Sequence, residues 1–527
     1  MGKTFNINGD CKPGLHYMVD LHGRLDIIRS MVDQGQYFTI NRARQYGKTT
    51  ILRSLDRFLK NDYLVISMDF QVMGHACFES ESLFVSAFSA ELLDSTEAIP
   101  DEIKNHLCTF AEGCARQITL FSLFKVLSRW CGISQKRIVL LVDEVDSATS
   151  NQVFLDFLAQ LRGYYINRDR KPAFQSVILA GVYDVRNIRR KIRPEEDHKF
   201  NSPWNIAADF PMNMSFSAED IAGMLESYEN DHHTGMNIQN MARLLFDFTS
   251  GYPVLVSWLC KLMDERIPGS THFPDKTSAW TKQGCLEAVK ILLEEKSPLF
   301  ESLTGKLSDY PELKKIIHLL LFQGQRIAYN PDDPAIDAAI MFGFVKVSNG
   351  SVAVSNRIFE TRLYNMFLTL PEIQSTDLYQ AACRDKIQFI QNGRLDMKRI
   401  LEKFVIFFDD AYGDKGEKFY EEDGRRYFML YLRPIINGSG NYYIEAQTRN
   451  MERTDLIIDY NREQFIIELK LWRGEKRHRE GEMQLADYLD HYHMTKGYMI
   501  CFNFNRKKKT GVKEVFVKDK LLVEAIV

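Results

Sequence analysis

The first residues in this chain that could do chemistry are a glycine, a lysine and a threonine in succession. In the stretch YFTINRARQYGKTTIL, Gly47, Lys48 and Thr49 have the types and order that bind a nucleotide phosphate. Backbone N–H groups at a helix start would point at the phosphate, Lys48 would add a positive charge, and Thr49 would bind Mg²⁺. The spacing G-x-x-x-x-G-K-[ST] puts arginine at position 42 where a glycine is usual. Two interpretations therefore stay open: a nucleotide site with one unusual residue, or a chance sequence in a loop.

An acidic pair further along the chain favours the nucleotide site. Asp143 and Glu144 directly follow residues 138–142, an apolar run of the kind that forms a central parallel strand buried on both faces. Carboxylates at the carboxyl end of such a strand lie where open α/β sheets bind their ligands. We expect Asp143 to hold the Mg²⁺ shell and Glu144 to polarise the attacking water during ATP hydrolysis.

The elements that must position these residues alternate between strands and a helix. Residues 37–40, 62–70 and 174–184 have the composition of buried strands, and TILRSLDRFLK, directly after Thr49, has apolar residues at helical spacing. A strand, a tight loop and a helix are the context that Gly-Lys-Thr requires. Behind the strand at 174–184 lie four arginines that suit an arginine finger or a solvated helix face equally well: Arg186, Arg189, Arg190 and Arg193.

From about residue 212 the pattern becomes helical. Ser217 and Asp220 predict a capping box, and Gly251 and Pro253 predict the start of another helix. We interpret this region as the helical lid of an AAA+-type ATPase. Residues 313–370 then give helices around a hairpin with Asn349-Gly350 at its turn, which suggests a winged helix. Its hairpin carries one basic residue, so a protein–protein or packing role is as well supported as DNA binding.

A second set of chemical residues lies in RTDLIIDYNREQFIIELKLWRG. If residues 461–462 form a hairpin loop, Asp455 lies opposite Glu468, with the two Cβ atoms about 4.5–5.5 Å apart. Two carboxylates so close repel each other unless a cation lies between them. Lys470 shares their face because strand side chains alternate. The pattern predicts a divalent-metal site with a water-orienting amine, and the alternative is a hairpin with a surface ion pair.

This arrangement resembles the D-x(n)-E-x-K core of the PD-(D/E)xK nucleases. The resemblance implies that Asp455, Glu468 and the Leu469 carbonyl bind Mg²⁺, which lowers the pKa of a bound water, while Lys470 positions that water. Thr454 departs from the pattern because it stands where the family has proline.

Further residues around this core extend the resemblance. Gln484 and Tyr488 are spaced i, i+4 on one helix face, like the Q-x-x-x-Y element that some of these nuclease families place beside the site. Glu421 or Glu422 could supply an extra helix glutamate, and the sequence does not choose between them. Two basic runs could track phosphates or be solvated faces: Lys470, Arg473, Lys476, Arg477, His478 and Arg479, and residues 505–513.

The whole chain resembles bacterial AAA-ATPase-like proteins with a C-terminal PD-(D/E)xK nuclease domain. HYMVD, NRARQYGKTT, LLVDEVD, VILAGVYDVRNIRRKI and RTDLIIDYNREQFIIELKLWRG carry the resemblance. In that group the loop typically has the form R-x-R-x-x-G-K-[ST], so arginine at position 42 is a family trait. The nucleotide-binding candidates are Arg42, Arg44, Gly47, Lys48, Thr49, Thr50 and Asp143.

At 527 residues the chain is too long for one core. We predict an α/β multidomain protein: a P-loop AAA-like ATPase core with a parallel sheet at 1–210, a helical lid at 211–295, a winged-helix-like domain at 296–372 and a restriction-endonuclease-like PD-(D/E)xK α/β domain at 373–527. A net charge of −3 excludes a globally basic nucleic-acid coat. With no apolar run of about 18 residues and no leader-like start, we expect a cytoplasmic protein without a membrane partner. Nine cysteines without CxxC pairs suit reduced thiols, and neither cysteines nor histidines form a ligand pattern.

The function expected from these features is enzymatic. ATP and Mg²⁺ are the cofactors, and nucleotide binding gates a metal-dependent nuclease that acts on nucleic acid, DNA in preference to RNA. The alternative hypothesis is an ATP-driven regulatory switch whose C-terminal domain only binds nucleic acid or a protein partner. The resemblance further implies a role in DNA processing or in defence against foreign DNA. An arginine finger from another copy would imply a homo-oligomer, but no residue identifies one.

Overall fold

The computed structural model describes residues 2–113, 118–149, 151–182, 204–322, 327–375, 377–391, 393–412, 419, 421–436, 440–444, 456–460, 463–491, 494–505 and 507–527. The chain divides into two compact units. The first consists of Met1–Phe246, Gly251–Cys285 and Met341–Gly343, and the second of Asp247–Ser250, Leu286–Ile340 and Phe344–Val527. The finer division into four domains stays a prediction.

A four-stranded parallel sheet lies at the centre of the first unit. Its strands are β1 (Phe38–Asn41), β2 (Leu64–Asp69), β3 (Ile138–Asp143) and β4 (Ser176–Gly181), in the spatial order β1-β4-β3-β2. Every residue of β3 and β4 is buried, as expected for parallel strands with both faces covered. The predicted α/β fold with a parallel sheet is confirmed.

Helices cover both faces of this sheet because alternate strand residues point to opposite sides. Val139 and Leu141 of β3 pack in an apolar cluster with α1 (His22–Asp33) and α2 (Lys48–Leu59). Leu140 and Val142 pack in the opposite cluster. The helices on that side are α3 (Phe70–Met73), α4 (Glu81–Ser95), α5 (Asp101–Ala111), α6 (Leu120–Ile133) and α7 (Gln152–Ile166).

The chain after residue 212 is helical, as predicted. The elements are α8 (Ala218–His232), α9 (Ile238–Thr249), α10 (Pro253–Lys261) with a π-helical continuation over Leu262–Arg266, α11 (Lys276–Ala279) and α12 (Lys282–Glu294). The capping box is confirmed: the Ser217 side chain accepts from the Asp220 N–H, and the Asp220 carboxylate accepts from the Ser217 N–H. The role of these helices as a lid stays a prediction.

The second unit begins with helices around a short hairpin. The helices are α13 (Pro298–Asp309), α14 (Pro311–Phe322), α15 (Pro334–Met341) and α16 (Arg357–Leu368), and the hairpin consists of β5 (Val345–Ser348) and β6 (Ser351–Val354). Asn349 and Gly350 both have positive φ, +49° and +72°, as a two-residue type I′ turn requires. The predicted hairpin turn is confirmed, and the winged-helix assignment stays a prediction.

A mixed six-stranded sheet dominates the rest of the second unit. Before it come α17 (Pro371–Gln374), α18 (Asp377–Asp385), the small hairpin β7 (Ile390–Gln391) and β8 (Arg394–Leu395), α19 (Met397–Tyr412) and α20 (Glu421–Ile436). The sheet contains β9 (Gly440–Ile444), β10 (Leu456–Tyr460), β11 (Glu463–Leu471), β12 (Lys496–Phe502), β13 (Gly511–Val517) and β14 (Lys520–Ile526), with α21 (Glu475–His491) between β11 and β12 in the chain. Its order is β13-β14-β12-β11-β10-β9, and β11, β12 and β14 run parallel.

The register of the β10–β11 hairpin agrees with the sequence prediction. The antiparallel pairs run from Leu456↔Ile467 to Tyr460↔Glu463, which is the register expected from a loop at residues 461–462. Asp455 itself lies outside the described residues, so its pairing with Glu468 stays a prediction. Within the described ranges, none of the helices is both long and apolar enough to cross a membrane.

Candidate active sites

The loop between β1 and α2 places Lys48 at the start of a helix. Gly47 caps α2 with φ at +83°, a left-handed conformation that glycine adopts without steric cost. The Ile51 N–H donates to the Gly47 carbonyl at 3.0 Å and closes the first helical turn. The first N–H groups of a helix have no partner within it, so they form an anion-binding end.

Lys48 is held inside this loop as a buried cation. Only 5% of the residue is exposed, and its Nζ donates to the carbonyls of Arg42 and Ala43 at 3.1 and 3.2 Å. Burial lowers the pKa of Lys48, and three nearby carboxylates oppose that shift: Glu144, Asp146 and Asp143. The ammonium group therefore lies between the loop and the acids at the end of β3.

Asp143 and Thr49 supply oxygen atoms beside Lys48 that could bind a metal ion. The Thr49 hydroxyl lies close enough to the Asp143 carboxylate to counter the rise in its pKa, and the carboxylate accepts the Glu144 N–H at 2.9 Å. Burial raises the pKa of both the Asp143 and the Glu144 carboxyl groups. A hydroxyl and a carboxylate are ligands that Mg²⁺ takes together with water and phosphate oxygens. The residues present thus fit a Mg²⁺ ion at this point.

Asp146 is a further member of this site, which the sequence did not indicate. Its Oδ2 accepts the Val182 N–H at 2.6 Å, which ties the segment after β3 to the end of β4. A Cβ atom at Gly181 would lie 2.8 Å from Asp146 Oδ1, so glycine permits the close approach. The polar end of the strand predicted to reach residue 184, and the four arginines behind it, lie outside the described residues.

Two of the three remaining loop candidates, Arg42 and Thr50, bind protein groups. The Arg42 guanidinium donates to the Asn41 carbonyl at 2.7 Å and to the Met212 carbonyl at 2.6 Å, and it lies 5.6 Å from the Phe210 ring centroid. The Thr50 hydroxyl accepts the Cys11 N–H at 3.1 Å. The Arg44 side chain is exposed. The geometry favours a structural role for the side chain at position 42, while its carbonyl binds Lys48.

A largely apolar cavity opens beside the loop. Residues from the N-terminal segment, the loop and the later helices line it, among them Ile7, Val19, Tyr46, Gly47, Met224 and Val254. Such a lining suits the flat apolar faces of a nucleotide base. The sequence does not indicate this cavity, because its walls come from three distant stretches of the chain that only the fold brings together.

In the second unit, Glu468 and Lys470 lie near the end of β11. Glu468 is 5% exposed, and Lys470 Nζ lies 2.7 Å from its Oε1. The Leu471 N–H donates to Glu421 Oε1 at 3.1 Å, which brings the first residue of α20 to the end of this strand. Of the two glutamates that the sequence left open, Glu421 is thus placed at this strand end. The Glu422 side chain lies outside the described part of the chain.

Helix α21 covers the same strand end. A Cβ atom on Gly481 would contact the Lys470 side chain at 3.6 Å, so this point of the helix faces Lys470. Gln484 and Tyr488 follow three and seven residues later, on the same helical face. The structure therefore brings Glu421, Glu468, Lys470 and the α21 face together, while Asp455 lies outside the described residues and the metal ligands stay predictions.

Two members of the first basic run contact carboxylates of the protein, and whether the run binds phosphates stays a prediction. Lys470 pairs with Glu468, and the His478 side chain, 8% exposed, contacts Glu524. The other members are exposed: Arg473, Lys476, Arg477 and Arg479. The run is continuous only in the sequence: Lys470 belongs to β11, Arg473 precedes α21, and the helix turns the side chains of residues 476–479 in different directions.

Comparisons with known proteins agree with the geometry of the first unit. Residues 16–275 match the family model of the AAA-like domain. No curated protein matches the chain. Among solved structures, a Walker-type ATPase of Pyrococcus abyssi matches with a TM-score of 0.44 and 13% identity, covering 68% of this chain and 99% of that chain.

Two further solved structures come from Aeropyrum pernix. The ORC2 protein, in ADPNP and ADP complexes, matches with a TM-score of 0.36 and 11% identity, covering 66% of this chain and 95% of its own. The ORC1 protein in complex with DNA matches with a TM-score of 0.28 and 14% identity, covering 66% and 93%. The family match ends before the six-stranded sheet. Residues 16–275 thus match an AAA-like domain, and they include both the Lys48 loop and the four-stranded parallel sheet.

Proposed function

We propose that the first unit binds ATP with Mg²⁺ and hydrolyses it. The observation that carries this proposal is the position of Lys48, whose ammonium lies between the loop carbonyls and the acids that follow β3. In this proposal the N-terminus of α2 and Lys48 bind the phosphates, and Thr49 and Asp143 hold the metal. The apolar cavity beside Gly47 receives the base.

Glu144 is the residue proposed to activate the attacking water. Its φ of +50° lets the backbone turn directly after the strand, so the residue stands at the carboxyl end of β3. Burial raises the pKa of its carboxyl group, which makes the carboxylate a better proton acceptor.

The second part of the proposal concerns the six-stranded sheet. We propose a Mg²⁺-dependent nuclease of the PD-(D/E)xK type that acts on DNA in preference to RNA and is regulated by ATP. Its support is the buried pair Glu468–Lys470, with Glu421 and α21 at the same strand end. Glu468 would bind the metal with Asp455 and the Leu469 carbonyl, and Lys470 would orient a water molecule for attack on the phosphodiester.

The contact between Glu468 and Lys470 also suits a second candidate function. At 2.7 Å the two charges neutralise each other within the protein, as a structural ion pair would. In that case the C-terminal sheet holds nucleic acid or a protein partner without cutting, and ATP drives a regulatory change.

A nuclease assay with and without ATP separates the two functions. Glu468→Gln preserves size and removes the charge, and its control is Glu463→Gln on the same strand. Lys48→Ala is paired with Lys60→Ala, whose residue pairs with Asp56 at the exposed end of α2. The nuclease proposal expects Mg²⁺-dependent cleavage of DNA that is lost in Glu468→Gln and kept in Glu463→Gln. Wild type that cleaves neither single- nor double-stranded DNA supports the switch, and ATP binding that survives Lys48→Ala contradicts the nucleotide site.

A further inference from the structure

A cluster of metal-ligating side chains lies between α21 and the last strand of the second unit. His478 and Glu482 are one helical turn apart on α21, and Glu524 lies on β14. The Nε2 atom of His478 is 3.2 Å from Glu524 Oε2 and 3.6 Å from Glu482 Oε1. One ligand atom from each residue can be chosen so that all lie within 4.8 Å of one another.

The cluster is withdrawn from solvent. The exposed fractions of the three side chains are 8% for His478, 14% for Glu482 and 0% for Glu524. The Trp472 ring covers the imidazole, with the two ring centroids 4.9 Å apart. Two carboxylates so buried and so close repel each other unless a positive charge or a proton lies between them.

Only one of the two oxygens of the Glu524 carboxylate has nitrogen donors from the protein. Its Oε2 contacts Lys513 Nζ at 2.8 Å in addition to the imidazole. Its Oε1 is buried and meets no nitrogen donor among the residues that the structure describes, and the neighbouring Glu482 carboxyl can hydrogen-bond to the Glu524 carboxylate only while it carries a proton. A buried carboxylate oxygen without a partner is costly, so a ligand in the cluster would complete its coordination.

We propose that His478, Glu482 and Glu524 bind a divalent transition-metal ion, Zn²⁺ or Mn²⁺. An ion about 2.0–2.2 Å from each ligand draws the ligand atoms to within about 4.4 Å of one another, and both contacts of His478 Nε2 already meet that condition. The imidazole nitrogen favours transition metals over Mg²⁺, which prefers oxygen ligands. Lys513 can keep its contact with Oε2 while the ion binds Glu524 through Oε1 or through a second lone pair of Oε2, because a carboxylate has about four lone-pair sites.

This site is separate from the one around Glu468. Glu468, Met499 and Glu524 are Cα partners across the neighbouring strands β11, β12 and β14. With strands about 4.8 Å apart, the backbone positions of the two glutamates are about 10 Å apart. The two glutamates thus lie on strands that are not neighbours, and we assign the proposed ion a structural role. It links α21, which carries Gln484 and Tyr488, to the strand β14.

The test measures metal binding to the full chain after treatment with a chelator and dialysis. Calorimetric titrations with Zn²⁺, Mn²⁺ and Mg²⁺ compare wild type with His478→Ala and Glu482→Gln. The matched controls are His22→Ala, whose residue is exposed beside Asp20, and Glu480→Gln, an exposed position on α21. Co²⁺ absorption spectra supply a second measurement, since the ligand set determines the spectrum.

The proposal expects one equivalent of Zn²⁺ or Mn²⁺ in wild type and in both controls. His478→Ala and Glu482→Gln should each weaken binding at least about tenfold, and Mg²⁺ should not compete at equal concentration. Glu468→Gln should leave Zn²⁺ binding intact, which distinguishes this site from the proposed nuclease site whatever the outcome of the DNA assay. Wild type without Zn²⁺ or Mn²⁺ binding, or binding that is equal in His478→Ala and wild type, would overturn the proposal.

Discussion

Substituting Arg42 tests whether its side chain supports the loop or binds phosphate. In the structure the guanidinium donates to the carbonyls of Asn41 and Met212 at 2.7 and 2.6 Å and lies over the Phe210 ring. Arg42→Ala removes these contacts but keeps the carbonyl of residue 42, which accepts from Lys48. We therefore expect a loss of stability without a matching loss of ATP binding.

The size of the stability loss follows from the contacts removed. A hydrogen bond from a charged group contributes about 1.5–3 kcal/mol, and a cation over an aromatic ring about 0.5–1 kcal/mol. Because Arg42 is only partly buried, we take the lower end for both hydrogen bonds and allow for screening. The expected decrease in the free energy of unfolding is about 2–3 kcal/mol.

The assay combines urea unfolding with equilibrium binding of ATP. Arg44→Ala is the matched control, because the Arg44 side chain is exposed and should change stability by less than about 0.5 kcal/mol. For Arg42→Ala, we expect the ATP dissociation constant to change less than about tenfold, which corresponds to 1.4 kcal/mol. Unchanged stability with ATP binding weakened more than tenfold would refute the reasoning, because the guanidinium would then contact the nucleotide.

Three further substitutions test other parts of the structure. Gly251→Ala should lower the free energy of unfolding in urea by about 3 kcal/mol or more, because φ is +73° and the new Cβ would lie 1.9 Å from the Phe216 carbonyl oxygen. The control Gly235→Ala has a similar φ of +76° but open space around the new Cβ, so it should lower that free energy by only about 1 kcal/mol. Equal losses of stability in the two variants would contradict the predicted clash. Glu144→Gln should preserve ATP binding and slow phosphate release at least about a hundredfold, and an unchanged rate would exclude Glu144 as the base. Burial raises the pKa of Asp459, so the ionised carboxylate destabilises the fold above that pKa, and the penalty disappears as the pH falls below the ordinary value of about 3.9. Asp459→Asn should accordingly raise the melting temperature at pH 7 and leave it unchanged near pH 3; a lower value at pH 7 would contradict the prediction.

Features that depend on local spacing could be predicted from the sequence. Lys48 follows a strand and opens a helix, and Asp143 ends an apolar strand, so their elements place them at one edge of a parallel sheet. The register of the β10–β11 hairpin is the one that a loop expected at residues 461–462 predicts, and it decides which side chains share a face because they alternate with a period of two. In each case a few consecutive residues determine the geometry.

Features that depend on how separate elements meet could not be predicted. Arg42 binds a carbonyl 170 residues away, and His478 contacts Glu524 46 residues away. Glu421 and Glu422 are neighbours in sequence, and only the phase of α20 against β11 brings the first to the Leu471 N–H. The spacing of His478 and Glu482 is visible in the sequence, but their third partner, Glu524, lies on the last strand, and no sequence pattern predicts its position beside them.

The N-terminal segment shows that a domain recognised by similarity can be shorter than the unit that folds. The family match begins at residue 16, yet Thr4 exchanges backbone hydrogen bonds with Leu15 and Tyr17, and Phe5 is 1% exposed. Its ring packs against Tyr17, Tyr228 and Trp280. A shortened chain starting at residue 16 would expose this aromatic cluster and remove one wall of the cavity beside Gly47. Truncations intended to isolate the ATPase should therefore keep these first residues, and insertions or tags between positions 4 and 11 should disturb nucleotide binding even though they lie outside the recognised domain.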